Sequence, residues 1–270
     1  MRIAFLGGGN MASALIGGLL KKGVEASSIS VVEVSPAARE RLAARHGVRS
    51  STAPDAATQK ADTLVLAVKP QDLRPAAAAL AGSVRGKLVV SIAAGVRLDA
   101  LSRWLDGHRK LVRCMPNTPA LIGAGISGLY ALPEVSRDER KRTETILGAV
   151  GEVVWLTEER LLDPVTAVSG SGPAYVFWFI EQLAESAKKM GIPADVASKL
   201  ALHTVLGAAK LAAGSEESPA QLRKNVTSKG GTTEAALKVF DEEQLAQRFA
   251  RALEAASRRG ADIGAELGKG

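Results

Sequence analysis

The sequence predicts an α/β chain in two parts, a parallel sheet wrapped by helices and then an all-helical half. Three observations carry this. Short continuous apolar runs alternate with helical stretches up to about residue 156. A run of three glycines joins the first apolar run to the first helix. Beyond residue 157 the strand signals stop and every segment has helical spacing. Strands joined by helical crossovers give a parallel sheet with helices on both faces.

The elements follow in order. Strands are expected over 2–6, 29–34, 63–68, 88–92, 111–115, 125–131 and 152–156, and helices over 10–22 and 36–46. The strand runs are continuous rather than alternating, as expected when helices cover both faces of a sheet. In the second half, helices are expected over 174–190, 194–213, 219–226, 232–240 and 242–266. Val176, Phe177, Trp178, Phe179 and Ile180 make the first of these apolar on every side. A helix of that kind is buried all round, and so few residues can hardly hide several such helices alone. A second subunit is expected to cover them, making the chain at least a dimer. The last helix is more ordinary, with Leu245, Phe249, Ala252, Leu253 and Ala256 on one stripe. The expected domains are residues 1–157 and 158–270.

Composition narrows the function. The chain has 270 residues, 46% apolar and 23% charged, which is enough for a real core. A net charge of +7 favours anionic partners such as a nucleotide, a carboxylate or nucleic acid. Lys and Arg are scattered among Asp and Glu, and aromatics make up only 4% of residues, so nucleic acid is not expected. Cys114 is the single cysteine, which excludes an intrachain disulfide and fits a reducing compartment. His46, His108 and His203 share no metal-ligand spacing, so no metal is expected. The N-terminal run meets glycines too soon for a signal peptide, and no apolar stretch approaches the ~20 residues of a membrane span. A cytoplasmic location is expected.

The first chemical motif is Gly7-Gly8-Gly9-Asn10-Met11-Ala12, which contains G-x-G-x-x-A directly after a strand and at the start of a helix. Gly7 permits the tight turn, Gly9 lets the backbone approach a pyrophosphate, and Ala12 lets helix and strand pack closely. The helix N-terminus offers free N–H groups to phosphate. This is the loop of a Rossmann-like dinucleotide-binding domain, and the cofactor is NAD or NADP. Glu33 lies 24 residues after Gly9, where an acid accepts from a ribose 2′-hydroxyl and favours NAD. Ser35 and Arg39 follow and could instead hold the 2′-phosphate of NADP. The two signals conflict, and charge counting does not settle them.

Further motifs occur in order. They are Ala67-Val68-Lys69-Pro70, Ser91-Ile92-Ala93-Ala94-Gly95-Val96, Arg113-Cys114-Met115-Pro116-Asn117-Thr118-Pro119, Val168-Ser169-Gly170-Ser171-Gly172-Pro173-Ala174-Tyr175, and Val226-Thr227-Ser228-Lys229-Gly230-Gly231-Thr232-Thr233. Val68, Lys69, Pro70, Ala93, Ala94 and Gly95 fall at C-terminal ends of strands, where ligands of open α/β sheets bind. Asn117 can hydrogen-bond a carboxamide or a ribose. Gly230 and Gly231 precede a helix start, exposing N–H donors that suit a carboxylate. Thr and Glu234 there would serve a plain capped helix equally well.

With the opening loop, these motifs resemble the pyrroline-5-carboxylate reductase family over essentially the whole chain. The resemblance implies reduction of a cyclic imine carboxylate to L-proline by NADPH or NADH. It implies that Ser228, Gly230, Gly231, Thr232 and Thr233 bind the substrate carboxylate, with the Thr233 hydroxyl facing the ring nitrogen. Thr166 and Glu216 match family positions near the reacting atoms. The resemblance also implies a homo-oligomer, at least a dimer through the C-terminal helices, and relatives often assemble such dimers into larger rings. Lys229 stands where many relatives have proline, so this loop is expected to be less stiff.

Two other readings stay open at this stage. A β-hydroxyacid dehydrogenase has the same plan but needs a proton donor for the alkoxide, typically a Lys on the helix after its Gly-x-Gly segment. Val176 and Ile180 occupy the comparable positions here. A dinucleotide-binding sensor would need the glycine loop but not the receptor over 228–233.

Overall fold

The computed structural model describes residues 1–268. One sheet of eight strands is seen among them: β1 (Ile3–Leu6), β2 (Ile29–Val32), β3 (Arg49–Ser51), β4 (Thr63–Leu66), β5 (Leu88–Ser91), β6 (Leu111–Met115), β7 (Gly125–Ala131) and β8 (Gly151–Trp155), in the order β3-β2-β1-β4-β5-β6-β7-β8. The helices that accompany the sheet are α1 (Asn10–Lys21), α2 (Pro36–His46), α3 (Ala56–Lys60), α4 (Pro70–Ala78), α5 (Leu98–Trp104), α6 (Arg137–Leu147) and the short α7 (Leu162–Val165). Then come α8 (Gly172–Lys189), α9 (Ala194–Ala213), α10 (Pro219–Asn225), α11 (Thr232–Glu242) and α12 (Leu245–Gly268).

The chain forms two compact units. One comprises Met1–Ser171 together with the chain from Glu254 onward, and the other is Gly172–Leu253. In the first unit, β1, β2, β4 and β5 are buried at every position. Phe5, Leu15, Leu19, Val65 and Val90 fill one face of the sheet, and Leu64, Leu66, Leu73, Val89 and Leu101 fill the other. Continuous apolar strands therefore do what their composition requires.

The sheet is parallel except at one pair. β7 runs antiparallel to β6, with Cys114 opposite Leu129. Residues 116–124 connect them through a single-turn 3-10 helix (Thr118–Ile122), too short for the crossover of a dozen or more residues that a parallel partner needs. The expected strands over 29–34 and 63–68 end earlier, at Val32 and Leu66, because the chain turns into loops at the sheet's C-terminal edge. β3 escapes sequence reading because Arg49, Ser50 and Ser51 are polar and the strand is at the sheet's edge.

In the second unit, α8 and α9 pack against each other, and Tyr175 meets Phe249 edge-on at 6.2 Å between ring centroids. Phe177 and Trp178 are 66% and 59% exposed in the single chain, and Leu200, Leu202, Leu206 and Leu211 on α9 are also exposed. Among the described residues no helix is long and apolar enough to cross a membrane.

Candidate active site

The order of strands reverses direction at β1, which lies between β2 and β4. Ligands of open α/β sheets bind at such a switch point, beyond the C-terminal ends of the strands. A cleft of about 700 Å³ opens there, with Gly7, Gly9, Glu33, Ser35, Val68 and Lys69 among its walls. Its size suits a cofactor.

Gly7 has φ +99°, and a Cβ on it would come within 2.7 Å of the Ala67 carbonyl oxygen. Its N–H donates to the Val32 carbonyl at 2.8 Å, tying the loop to β2. Gly9 is the N-cap of α1, and a Cβ built on it meets nothing within 4 Å. No side chain caps α1, and the open space at Gly9 lets a ligand approach the helix start. That is the arrangement a pyrophosphate needs, and the residues fit a dinucleotide. Asn10 and Met11 begin the helix, and Ala12 is buried against the sheet as expected from its size.

Gly8 donates its N–H to Glu33 Oε2 at 2.7 Å, and Ser35 donates its N–H to Oε1 at 2.8 Å. A Cβ on Gly8 would strike Leu42 at 2.6 Å and crowd the Glu33 carboxylate. Ser35 is the N-cap of α2, accepting from the Ala38 N–H. Arg39 turns its Nη1 onto the carbonyls of Glu33 and Val34, at 2.8 and 2.9 Å.

Lys69 is the exposed N-cap of α4 and Pro70 its first residue. Ala93 is buried and Ala94 half-buried beyond β5. Gly95 has φ +80° and lies under the last helix, where a Cβ would meet Ile263 at 2.8 Å. Helix packing thus leaves no room for a side chain there. Asn117 is buried, and its Oδ1 accepts the Ile126 N–H at 2.9 Å, which leaves its amide NH₂ to donate. Sequence reading missed Arg41 and Asp72, which also line the cleft. Arg41 follows Ala38 by three residues, so helical spacing from a buried position could have pointed to it.

Thr166 opens a π-helical turn over Thr166–Gly170, and its hydroxyl donates to the Leu162 carbonyl at 2.7 Å. π turns occur often at functional sites. The turn is anchored from below by a buried ion cluster. Arg113 donates to Glu159 at 3.2 Å and to Asp163 at 3.5 Å, and Glu159 also accepts the Leu98 N–H at 2.8 Å.

In the second unit, Gly231 is the N-cap of α11, and no side chain caps it. Among the described residues, the backbone N–H groups of Thr232 and Thr233 have no hydrogen-bond partner. Gly230 has φ +73° and donates its N–H to Glu234 at 2.6 Å, so that donor is already occupied. Ser228 accepts the Gly231 N–H through its carbonyl at 3.0 Å and keeps its hydroxyl exposed. Thr232 is exposed and Thr233 half-buried. Glu216 is exposed in the loop between α9 and α10.

A smaller cleft is bounded by Ser13, Lys21, His46 and Ile122. Ser13 Oγ and His46 Nε2 are 2.8 Å apart and join α1 to α2. Burial, with Arg45 nearby, holds His46 below its usual pKa.

Proteins similar to this chain are known along its whole length. The family model described as pyrroline-5-carboxylate reductase dimerisation matches residues 159–263, and the one described as NADP oxidoreductase, coenzyme F420-dependent, matches residues 2–95. Pyrroline-5-carboxylate reductase of Pseudomonas aeruginosa is 44% identical over 269 residues, 99% of this chain and 98% of the relative. That of Synechocystis is 41% identical over 265 residues, 98% of each chain. The solved reductase of Coxiella burnetii superposes with a TM-score of 0.92 at 38% identity, covering 97% of this chain and 98% of the other. That of Plasmodium falciparum, solved with NADP bound, gives 0.85 at 26% identity, covering 98% of each. Prephenate dehydrogenase from A. aeolicus, by contrast, shares the fold alone, at 14% identity and a TM-score of 0.55. Identity above 40% from end to end goes well beyond a common fold, and the chain belongs to the pyrroline-5-carboxylate reductase family of oxidoreductases.

Proposed function

We propose that this chain reduces the C=N bond of L-1-pyrroline-5-carboxylate to give L-proline, the last step of proline biosynthesis, using NADPH or NADH. The observation that carries this is that two helix starts in one chain combine a glycine N-cap with no side-chain cap, at α1 for a pyrophosphate and at α11 for a carboxylate. A sensor would need only the first.

The bound nicotinamide supplies the hydride. The protein's part is to bind and orient. The α1 N–H groups and Gly9 hold the pyrophosphate, Val68, Lys69, Pro70, Ala93 and Ala94 border the dinucleotide, and the Asn117 NH₂ donates to the carboxamide. The N–H groups of Thr232 and Thr233 and the Ser228 hydroxyl receive the substrate carboxylate. The Thr233 hydroxyl faces the ring nitrogen, and the family resemblance assigns Thr166 and Glu216 roles near the reacting atoms. A cyclic imine binds already protonated, and adding hydride to an iminium gives a neutral amine. No strong acid is therefore required, which suits a helix carrying Val176 and Ile180 where a β-hydroxyacid dehydrogenase has its donor. Fixing two reactants in register can lower a barrier by roughly 7–11 kcal/mol in well-aligned cases.

The active form is a homo-oligomer, a dimer through α8 and α9 that assembles into a larger ring, working in the cytoplasm. The exposed Phe177 and Trp178 support the dimer, and the lone Cys114 supports the reducing compartment.

The test is the loss of dihydronicotinamide absorbance on adding pyrroline-5-carboxylate. Consumption of either cofactor is the expected result. A folded protein that binds cofactor yet consumes neither would overturn the reading.

A further inference from the structure

We propose that the ribose pocket is built for a free 2′-hydroxyl, so that NADH is preferred over NADPH, and that Glu33 decides this. The inference rests on the dinucleotide reading above and deepens it. Sequence alone leaves Glu33 opposed by Ser35 and Arg39. Their hydrogen bonds in the structure remove the conflict.

Glu33 is a fixed anion at the cleft. Both of its oxygens accept main-chain N–H groups, from Gly8 at 2.7 Å and Ser35 at 2.8 Å. These two donors belong to the phosphate loop and to the turn after β2, so the carboxylate cannot swing away without breaking both. Each oxygen keeps acceptor capacity for a hydroxyl. A 2′-hydroxyl can donate to it, whereas a 2′-phosphate has only acceptors and negative charge to offer.

The residues that could have favoured a phosphate are committed elsewhere. Arg39 spends its Nη1 on the carbonyls of Glu33 and Val34, and it is not among the residues lining the cleft. Ser35 does line the cleft, but its Oγ also caps α2 and it carries no charge. The charged side chains around the cleft are Arg41 and Lys69 against Glu33 and Asp72. The cations are thus balanced before any phosphate arrives. Arg41 also borders the adjoining hollow walled by Gly8, Gly9 and Asn10, beside the pyrophosphate loop. From there it can reach the pyrophosphate that both cofactors share. A third phosphate would meet the fixed Glu33 carboxylate in a cleft whose charged side chains already sum to zero.

The experiment titrates the full-length protein with NADH and with NADPH, following dihydronicotinamide fluorescence at one ionic strength. The expected Kd for NADH is lower than that for NADPH by about tenfold or more. In Glu33→Gln the ratio should fall severalfold, mainly through tighter NADPH. Arg39→Ala should leave the ratio unchanged. Wild-type protein that binds NADPH as tightly as NADH overturns the proposal. So does Glu33→Gln weakening both cofactors equally, since Glu33 would then serve only to hold the loop. Loss of NADPH binding alone in Arg39→Ala would also overturn it, assigning a 2′-phosphate to that guanidinium. The wild-type ratio decides even if a variant fails to fold. Binding is measured without substrate, so a protein that prefers NADH but never reduces pyrroline-5-carboxylate would remove the proposed activity and keep this inference. A protein that turns over and prefers NADPH would do the reverse.

Discussion

Gly7 shows how one residue can be fixed by backbone geometry. Its positive φ and the 2.7 Å approach of the Ala67 carbonyl leave no room for a side chain. Gly7→Ala is expected to cost on the order of 1–3 kcal/mol and to abolish cofactor binding, measured by urea denaturation and by fluorescence titration. Gly9, with open space above it, should tolerate Ala in stability while losing affinity for the dinucleotide. Thr233→Ala removes a hydroxyl that the proposed mechanism places at the ring nitrogen. Turnover should fall by roughly tenfold, the size of one hydrogen bond, with the Kd for cofactor unchanged. Unchanged steady-state rates would take Thr233 out of the mechanism. Cys114 is a residue the mechanism does not use. Burial pushes its thiol up to about 12, partly opposed by Ser127. It should therefore resist a thiol reagent in the folded protein and react at once in denaturant.

At the level of elements, two anchors stand out. The cluster of Arg113, Glu159 and Asp163 ties β6 to the turn that leads into Thr166. Arg113 and Asp163 are almost fully buried, so Arg113→Met would leave the Asp163 carboxylate only the half-exposed Arg97, at 3.8 Å. The expected loss is about 3–5 kcal/mol in urea-unfolding free energy. The second anchor is the capping box of α6, where Ser136 and Glu139 exchange hydrogen bonds and Lys110 donates to Glu139 at 2.8 Å. Burial alone raises the Glu139 carboxyl, but hydrogen bonds from Lys110 and Ser136 and the Lys110 charge outweigh it, and its net position is below the ordinary range. A group depressed in the folded state adds stability above its unfolded value of about 4.3 and loses it as pH falls through the folded value. Wild-type unfolding midpoints should therefore drop below about pH 4 more steeply than those of Glu139→Gln. Element extents were largely legible in the sequence: α2 and α9 match the expected spans, and β6 and β7 do as well. The direction of β7 was not, because a strand's apolar run is the same read either way and only the short connection over 116–124 decides it.

For the whole molecule, the exposed apolar face of α8 and α9 is the dominant feature of the second unit. Phe177 and Trp178 alone would each bury a large apolar area against a partner, and burial is stabilising at about 25 cal/mol per Å². Replacing both with Glu should convert the assembly to monomers in light scattering and reduce turnover to near background. A double variant that keeps its mass and its rate would move the interface elsewhere.

The sequence by itself determined the change from a strand-and-helix half to a helical half, every strand but the polar edge strand β3, the phosphate loop at Gly7–Ala12, the family and the helix start at Thr232, since apolar runs, glycines and caps are legible within a few residues. Tertiary structure alone decided which way competing side chains turned. Glu33 is held by the amides of Gly8 and Ser35, while Arg39 is drawn onto two carbonyls. Gly95 is required by a helix more than 160 residues away in the chain, and the Gly230 donor is taken by Glu234. A charged or polar group has many partners within reach in sequence, and packing chooses among them by which backbone groups would otherwise be left unsatisfied.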